Sequence, residues 1–196
     1  AFSEESNFSQ AIQALNKASQ LLPEADIYHY SLAWLEHKQV TAEGGQFDAQ
    51  ALQEALARLA KAERLNPLRP QVPLIRGRLL EATGNPETGE NWKTSEELRN
   101  RIEAQYREAL TQDPFNREGR FYLARFLLQQ NRLEEGQAIL EQGINKTYTF
   151  NDLSVNYYRL TAEMRRILGD QSGYQELMDR LQKAVEKQER RSLNSG

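Results

Sequence analysis

Two histidines, His29 and His37, are the side chains of this 196-residue chain best suited to proton transfer or metal ligation, and both fall in DIYHYSLAWLEHKQ, which reads as helix. A spacing of eight residues is a little over two helical turns. It puts the imidazoles on a common face but about 12 Å apart along the axis, too far for one ion. Packing roles are therefore expected: His29 buried between helices, His37 solvated near a helix end, where a cation favours the helix dipole. Cysteine is absent, which excludes disulfides, thiolate metal sites and a cysteine nucleophile. Carboxylate pairs such as Glu96-Glu97 and Glu134-Glu135 are adjacent along a helix, so they point apart and read as a solvated face. GNPETGE has two glycines but follows no strand and lacks the spacing of a phosphate loop, so it reads as a plain connection. No catalytic set, metal site or cofactor site is expected from these residues. What is left with chemical potential is a scatter of arginines and aromatic residues, whose meaning depends on the elements that carry them.

Composition narrows the classes of partner. Apolar residues make up 39% and charged residues 27% of the chain, the usage of a chain that folds around a core. The formal net charge is -3, so there is no bulk basic field to hold nucleic acid or an anionic membrane. No run approaches the ~20 apolar residues of a membrane span, and the opening AFSEESNFSQ lacks the pattern of a signal peptide. Because helical patterning begins almost at once, the chain reads as a domain excised from a longer protein.

Strand signals are nearly missing, and Ala, Leu, Gln, Glu and Arg fill most segments. Breaks at Pro23, Gly44-Gly45, Pro67, Pro70, Gly84-Asn85-Pro86, Pro114, Asn131, 145–151 and Gly169 divide the chain into about nine helical pieces. Thr94-Ser95-Glu96-Glu97 reads as a helix-opening capping box, and Gly169 as a helix stop ahead of Asp170 and Ser172. Self-alignment then shows a repeat. Ile102, Tyr106, Ala109 and Leu110 recur 34 residues later as Gly136, Leu140, Gly143 and Ile144. The order small, large apolar, small, proline also appears as Ala11, Leu15, Ala18, Pro23 and as Ala55, Leu59, Ala62, Pro67.

In these residues the chain resembles the tetratricopeptide repeat family, whose unit is two antiparallel helices with small residues where they cross and a proline at the exit. The first helix of each pair fits through Leu32-Ala33, Gly77 with Leu80, and Leu123-Ala124 with Leu127, while the family's tryptophan slot holds His29, Pro73 and Arg120. The resemblance implies an all-α, right-handed α-solenoid of about nine helices forming one domain over 1–196, with repeats near 7–25, 26–69, 70–116, 117–150 and 151–187. The prolines Pro23, Pro67 and Pro114 are 44 and 47 residues apart, so insertions are expected near 39–49 and 85–97. The opening helix fills second-helix slots and is expected to lack a partner of its own.

The repeat register gives the scattered residues a common geometry. One slot of the first helices holds Trp34, Arg78, Arg125 and Arg159, and the slot one turn earlier holds Tyr30, Leu74, Phe121 and Val155. In such a solenoid these helices line the concave side, so an arginine row beside an apolar and aromatic row is expected there. Guanidinium forks recognise carboxylate or phosphate, and neighbouring rings add apolar and cation–π contact. The expected function is a non-catalytic module that binds a protein or peptide partner, acidic in character, in its groove; an anionic glycan is a second candidate. Against this, the arginines would instead pair with their own acids, Arg78 with Glu81 for example, and the aromatic residues would be core. Trp92, in the polar insertion, is expected to be an exposed contact residue.

Two other readings stand beside this one. QYREALTQDPFNREGRFYLARFLLQQNRLEEGQAILEQGI resembles the repeat tail that follows the membrane spans of bacterial O-antigen polymerases and ligases. That resemblance implies a periplasmic domain that positions a glycan or partner near the membrane, with the catalytic residues elsewhere in a longer chain. Self-association through exposed end helices is the third reading.

Overall fold

The computed structural model describes residues 2–42, 49–83, 91–144 and 152–193. Among these the chain forms nine α-helices and no strand: α1 (Phe2–Leu21), α2 (Asp26–Ala42), α3 (Ala49–Leu65), α4 (Gln71–Thr83), α5 (Glu96–Gln112), α6 (Arg117–Gln129), α7 (Leu133–Ile144), α8 (Asp152–Ile167) and α9 (Gln171–Leu193). They fall into two compact units, residues 1–114 and 115–196. Of the expected insertions, 43–48 and 85–90 lie outside the described residues; 39–42 continue α2, Ala49 opens α3, 91–95 form the turn that enters α5, and Glu96 and Glu97 begin that helix.

Local chemistry sets the helix ends. The Ser95 side chain accepts from the Leu98 amide at 3.3 Å and opens α5, followed by Glu96 and Glu97 where the helix dipole favours negative charge. Asn116 opens α6 by accepting from the Gly119 amide at 2.8 Å. Asn131, with a φ of 61°, turns the chain between α6 and α7, and the Arg132 amide closes on the Leu127 carbonyl at 3.0 Å. Gly169 (φ 88°) ends α8 in the left-handed conformation that glycine adopts without a Cβ clash, after which Asp170 accepts from the Gly173 amide at 2.8 Å to start α9.

In the first unit α1 packs on α2, α2 on both α3 and α4, α3 on α4, and α4 on α5. The core between α2, α3 and α4 consists of Ala33, Leu52, Ala55, Leu59, Ala62, Val72, Ile75 and Leu79, all buried. Alanines at the crossings bring helix backbones close enough for the leucines to interlock, and each buried leucine contributes about 1.5–3 kcal/mol relative to exposure. Gly77 of α4 faces the fully buried ring of Tyr106 in α5, and a Cβ there would stand only 2.9 Å from Tyr106 Cε1. None of the described side chains of α1 is fully buried.

In the second unit α6 packs on α7 and α8, α7 on α8, and α8 on α9. Ala124, Leu140, Ile144, Tyr157, Ala162, Met164 and Leu177 form its core. The Tyr157 hydroxyl donates to the Leu140 carbonyl at 2.6 Å, and Gly143 leaves the space that this hydroxyl needs. Of the repeated slots read from the sequence, Ile102, Tyr106 and Ala109 on α5, and Gly136, Leu140, Gly143 and Ile144 on α7 are buried, whereas Leu110 and the α1 slots Ala11, Leu15 and Ala18 are partly exposed.

Candidate functional site

In the first unit the candidate residues lie on α2 and α4, which touch one another side by side. Trp34 is half-buried and faces two cations: the Arg78 guanidinium lies 4.0 Å from its ring centroid and the Lys38 ammonium 4.8 Å from it. Tyr30, one turn before Trp34, is covered by the Arg69 guanidinium at 5.4 Å. Arg69 at the same time donates to both carboxylate oxygens of Asp26, at 2.6 and 3.2 Å, and so joins the α3–α4 turn to the start of α2. That hydrogen bond is the main reason the Asp26 carboxyl ionises below the ordinary aspartate range. Arg76, two residues before Arg78, pairs with Glu63 of α3 at 2.7 Å and reaches Gln105 of α5 at 3.1 Å. A Glu81 oxygen accepts the Tyr106 hydroxyl at 2.5 Å, and the Arg78 guanidinium lies over Trp34.

Three expectations for this unit need correction. Leu74 does not stand in an open row with Tyr30: it is 3% exposed, inside the buried run from Val72 to Ile75. Trp92 is 8% exposed and is not an exposed contact residue. The residues around it fold back ahead of α5, where the Arg99 guanidinium donates to the carbonyls of Trp92 at 3.2 Å and Lys93 at 3.1 Å. His37 is 4% exposed and not solvated, because α2 runs on to Ala42 and keeps it away from the helix end. Burial, then the positive charges of Arg78 and Lys38, push its imidazole down to about 4. His29 is buried as expected, with Nε2 2.9 Å from the Pro23 carbonyl.

In the second unit Phe121 and Arg125 are half-buried on α6. Arg125 lies 4.8 Å from the ring centroid of Tyr122, whose ring meets Phe121 edge-on at 5.4 Å. Arg120 is buried and donates to Gln142 at 2.8 Å, and Arg117 hydrogen-bonds Ser154, so these two arginines hold α6 to α7 and to α8. Arg165 does the same for α8 and α7 through both oxygens of Glu141, at 2.6 and 2.8 Å. Arg159 is different. It is exposed, has no ion pair or hydrogen bond among the described residues, and borders an open groove of about 580 Å³ along α9. Val155, one turn before it, is half-buried on α8.

Lys38 and Arg69 belong to these surfaces and were not singled out from the sequence. Lys38 carried a signal, being four residues after Trp34 on one helix face. Arg69 carried none, since it lies in a proline-bounded turn outside the repeated slots. Among the described residues no group of three or more His, Cys, Asp or Glu side chains is placed to hold a metal.

A tetratricopeptide repeat family model matches residues 101–152. The crystal structure of MamA aligns with 97% of this chain and 94% of its own at a TM-score of 0.58 and 15% identity. The fold is that of tetratricopeptide repeat proteins. MamA 41-end from Desulfovibrio magneticus RS-1 aligns over 92% of this chain and 87% of its own, with a TM-score of 0.56 and 13% identity. The structure of YrrB, a tetratricopeptide repeat protein with an unusual peptide-binding site, covers 91% of this chain and 78% of its own, with a TM-score of 0.50 and 14% identity. No curated protein matches the chain in sequence. At these identities the likenesses establish the fold alone, and the resemblance to O-antigen polymerases and ligases gains no support from them. In tetratricopeptide terms α2 and α4, and likewise α6 and α8, are neighbouring first helices.

Proposed function

We propose that this tetratricopeptide repeat chain is a protein-interaction module that receives an acidic segment of a partner on its first-helix surfaces and contributes no chemistry of its own. The observation that carries the reading is the Arg78–Lys38 pair of cations on the ring of Trp34, where α2 and α4 meet. A half-buried indole flanked by cations offers an apolar platform next to donors for a carboxylate, the combination that binds an acidic and aromatic or aliphatic stretch. Arg125 on Tyr122 repeats the pairing in the second unit. YrrB, a protein of the same fold, is described as having a peptide-binding site, which supports assigning a peptide to this fold here.

The test is isothermal titration of acidic peptides into the wild-type protein and into an Arg78→Ala/Arg125→Ala variant, at two salt concentrations. Binding is expected to be saturable, to weaken as salt rises, and to fall at least tenfold in the variant, about 1.4 kcal/mol. Equal affinity in wild type and variant would reject the first-helix surfaces as the binding site.

A further inference from the structure

The groove beside α9 is a second surface, distinct from the Trp34–Arg78 surface of the first unit, lined mainly by α9 and edged by Arg159 of α8. Its floor is Tyr174, Met178, Leu181 and Val185, spaced four, three and four residues apart, so they form one stripe along the helix. That stripe spans about 16 Å, three turns, at 1.5 Å per residue. Charges edge it unequally: Arg159 comes from α8, whereas Asp179 and Glu186 come from α9 itself. Gln175 donates to Asp179 at 3.0 Å, which holds that carboxylate in place along the helix without neutralising it, whereas Glu186 accepts from Gln182 at 3.1 Å and pairs with Arg190 of the same helix at 4.0 Å.

An apolar floor of three turns with anchors at helical spacing matches another helix laid alongside, because side chains on a straight partner helix recur at the same interval and enter the gaps. The charges set the partner's flanks. The Asp179 carboxylate requires a basic residue on one side, and the guanidinium of Arg159, which has no ion pair or hydrogen bond among the described residues, requires an acid on the other. We infer that the α8–α9 groove docks an amphipathic helix of a partner protein whose apolar stripe fills the floor, with a basic residue meeting Asp179 and an acid meeting Arg159. Such a helix would extend the alternating helix stack by one element, as each helix in the second unit already packs on its neighbours.

The test uses three synthetic capped peptides of about 16 residues, labelled for fluorescence anisotropy, long enough for three turns and their ends. One carries leucines at i, i+4, i+7 and i+11 with lysine flanks and a single glutamate. The second has the same residues shuffled to destroy the stripe, and the third has the flank charges reversed. The first is expected to bind saturably, the third at least fivefold more weakly, and the second not measurably. Met178→Asp, which places a charge on the floor, is expected to weaken the first peptide at least tenfold, and Arg159→Glu by several-fold, with thermal unfolding checked to stay close to wild type. Trp34→Ala/Arg78→Ala should leave this binding unchanged, so failure here and failure of the first-helix surface are read separately. Absence of binding, equal binding of the first two peptides, or indifference to Met178→Asp would overturn the assignment. So would sedimentation velocity showing self-association that Met178→Asp abolishes, since the groove would then belong to a second copy of this chain.

Discussion

The Arg78 guanidinium lies 4.0 Å above the indole of Trp34, joining equivalent positions on two neighbouring first helices. The contact ties α2 to α4 and, on the proposed reading, holds the fork of Arg78 for a partner's carboxylate. A partly desolvated pair of this kind contributes about 0.5–1 kcal/mol or somewhat more. A double-mutant cycle of Trp34→Leu and Arg78→Leu, read by urea unfolding, is expected to give a coupling in that range. The chain has two tryptophans, so a Trp92→Phe background isolates Trp34, and Arg78→Leu should then shift its emission. Additive single effects with unchanged emission would refute the contact.

Arg69 combines a two-pronged ion pair to Asp26 with stacking on Tyr30, and both depend on the planar guanidinium. Arg69→Lys keeps the charge and loses both features. It is expected to destabilise by about 1 kcal/mol, nearly as much as Arg69→Ala, because the side chains are partly exposed and charge alone contributes little. Chemical denaturation of the two variants checks this, and a lysine variant as stable as wild type would count against it.

The repeat and its small-residue slots were legible from the sequence because those slots are chosen by packing within and between helix hairpins. Gly77 against Tyr106 and Gly143 against Tyr157 are local demands that recur with the repeat, so spacing exposes them. Register alone also put Trp34 and Arg78 in one slot, and these two side chains touch. Leu74, Trp92 and His37 were misread for a common reason. Whether a position next to a slot faces solvent depends on how far neighbouring helices extend and how turns fold back, and sequence polarity reports neither. The polar run around Trp92 looked solvated, but Arg99 draws its backbone against the start of α5. The α9 groove was hidden differently: its stripe is readable, but Tyr174 and Met178 both pack on the core and line the groove, and spacing alone does not tell how much of each is left open.

At Gly77 the requirement is space. Tyr106 is fully buried, and its hydroxyl is held by Glu81 at 2.5 Å, so the ring has nowhere to move when a side chain is added opposite. Gly77→Val is therefore expected to destabilise by about 2 kcal/mol, in the range of overpacked cores, despite valine's better helix propensity than glycine. Combining it with Tyr106→Leu, which shortens the opposing side chain, should cost less than the sum of the two single changes. Strict additivity in urea titrations would show that the ring is not the obstacle.

His37 makes the stability of the first unit depend on pH. Its imidazole is held near 4 by burial and by the charges of Arg78 and Lys38, whereas in the unfolded chain it titrates at about 6.5. Above pH 6.5 both states are neutral there and the group contributes nothing to the slope. As pH falls below 6.5 the unfolded chain takes up a proton that the folded chain refuses, so stability drops, by roughly 2 kcal/mol at pH 5, and levels off below about 4. Glu36 works in the opposite sense, since burial raises its carboxyl and its contribution is lost as pH rises from about 4.5. A Glu36→Gln background therefore gives the cleaner reading. In it, urea unfolding between pH 7.5 and 5 should show a steep loss of stability that His37→Phe flattens. A slope that persists in the phenylalanine variant would assign the proton uptake to another group.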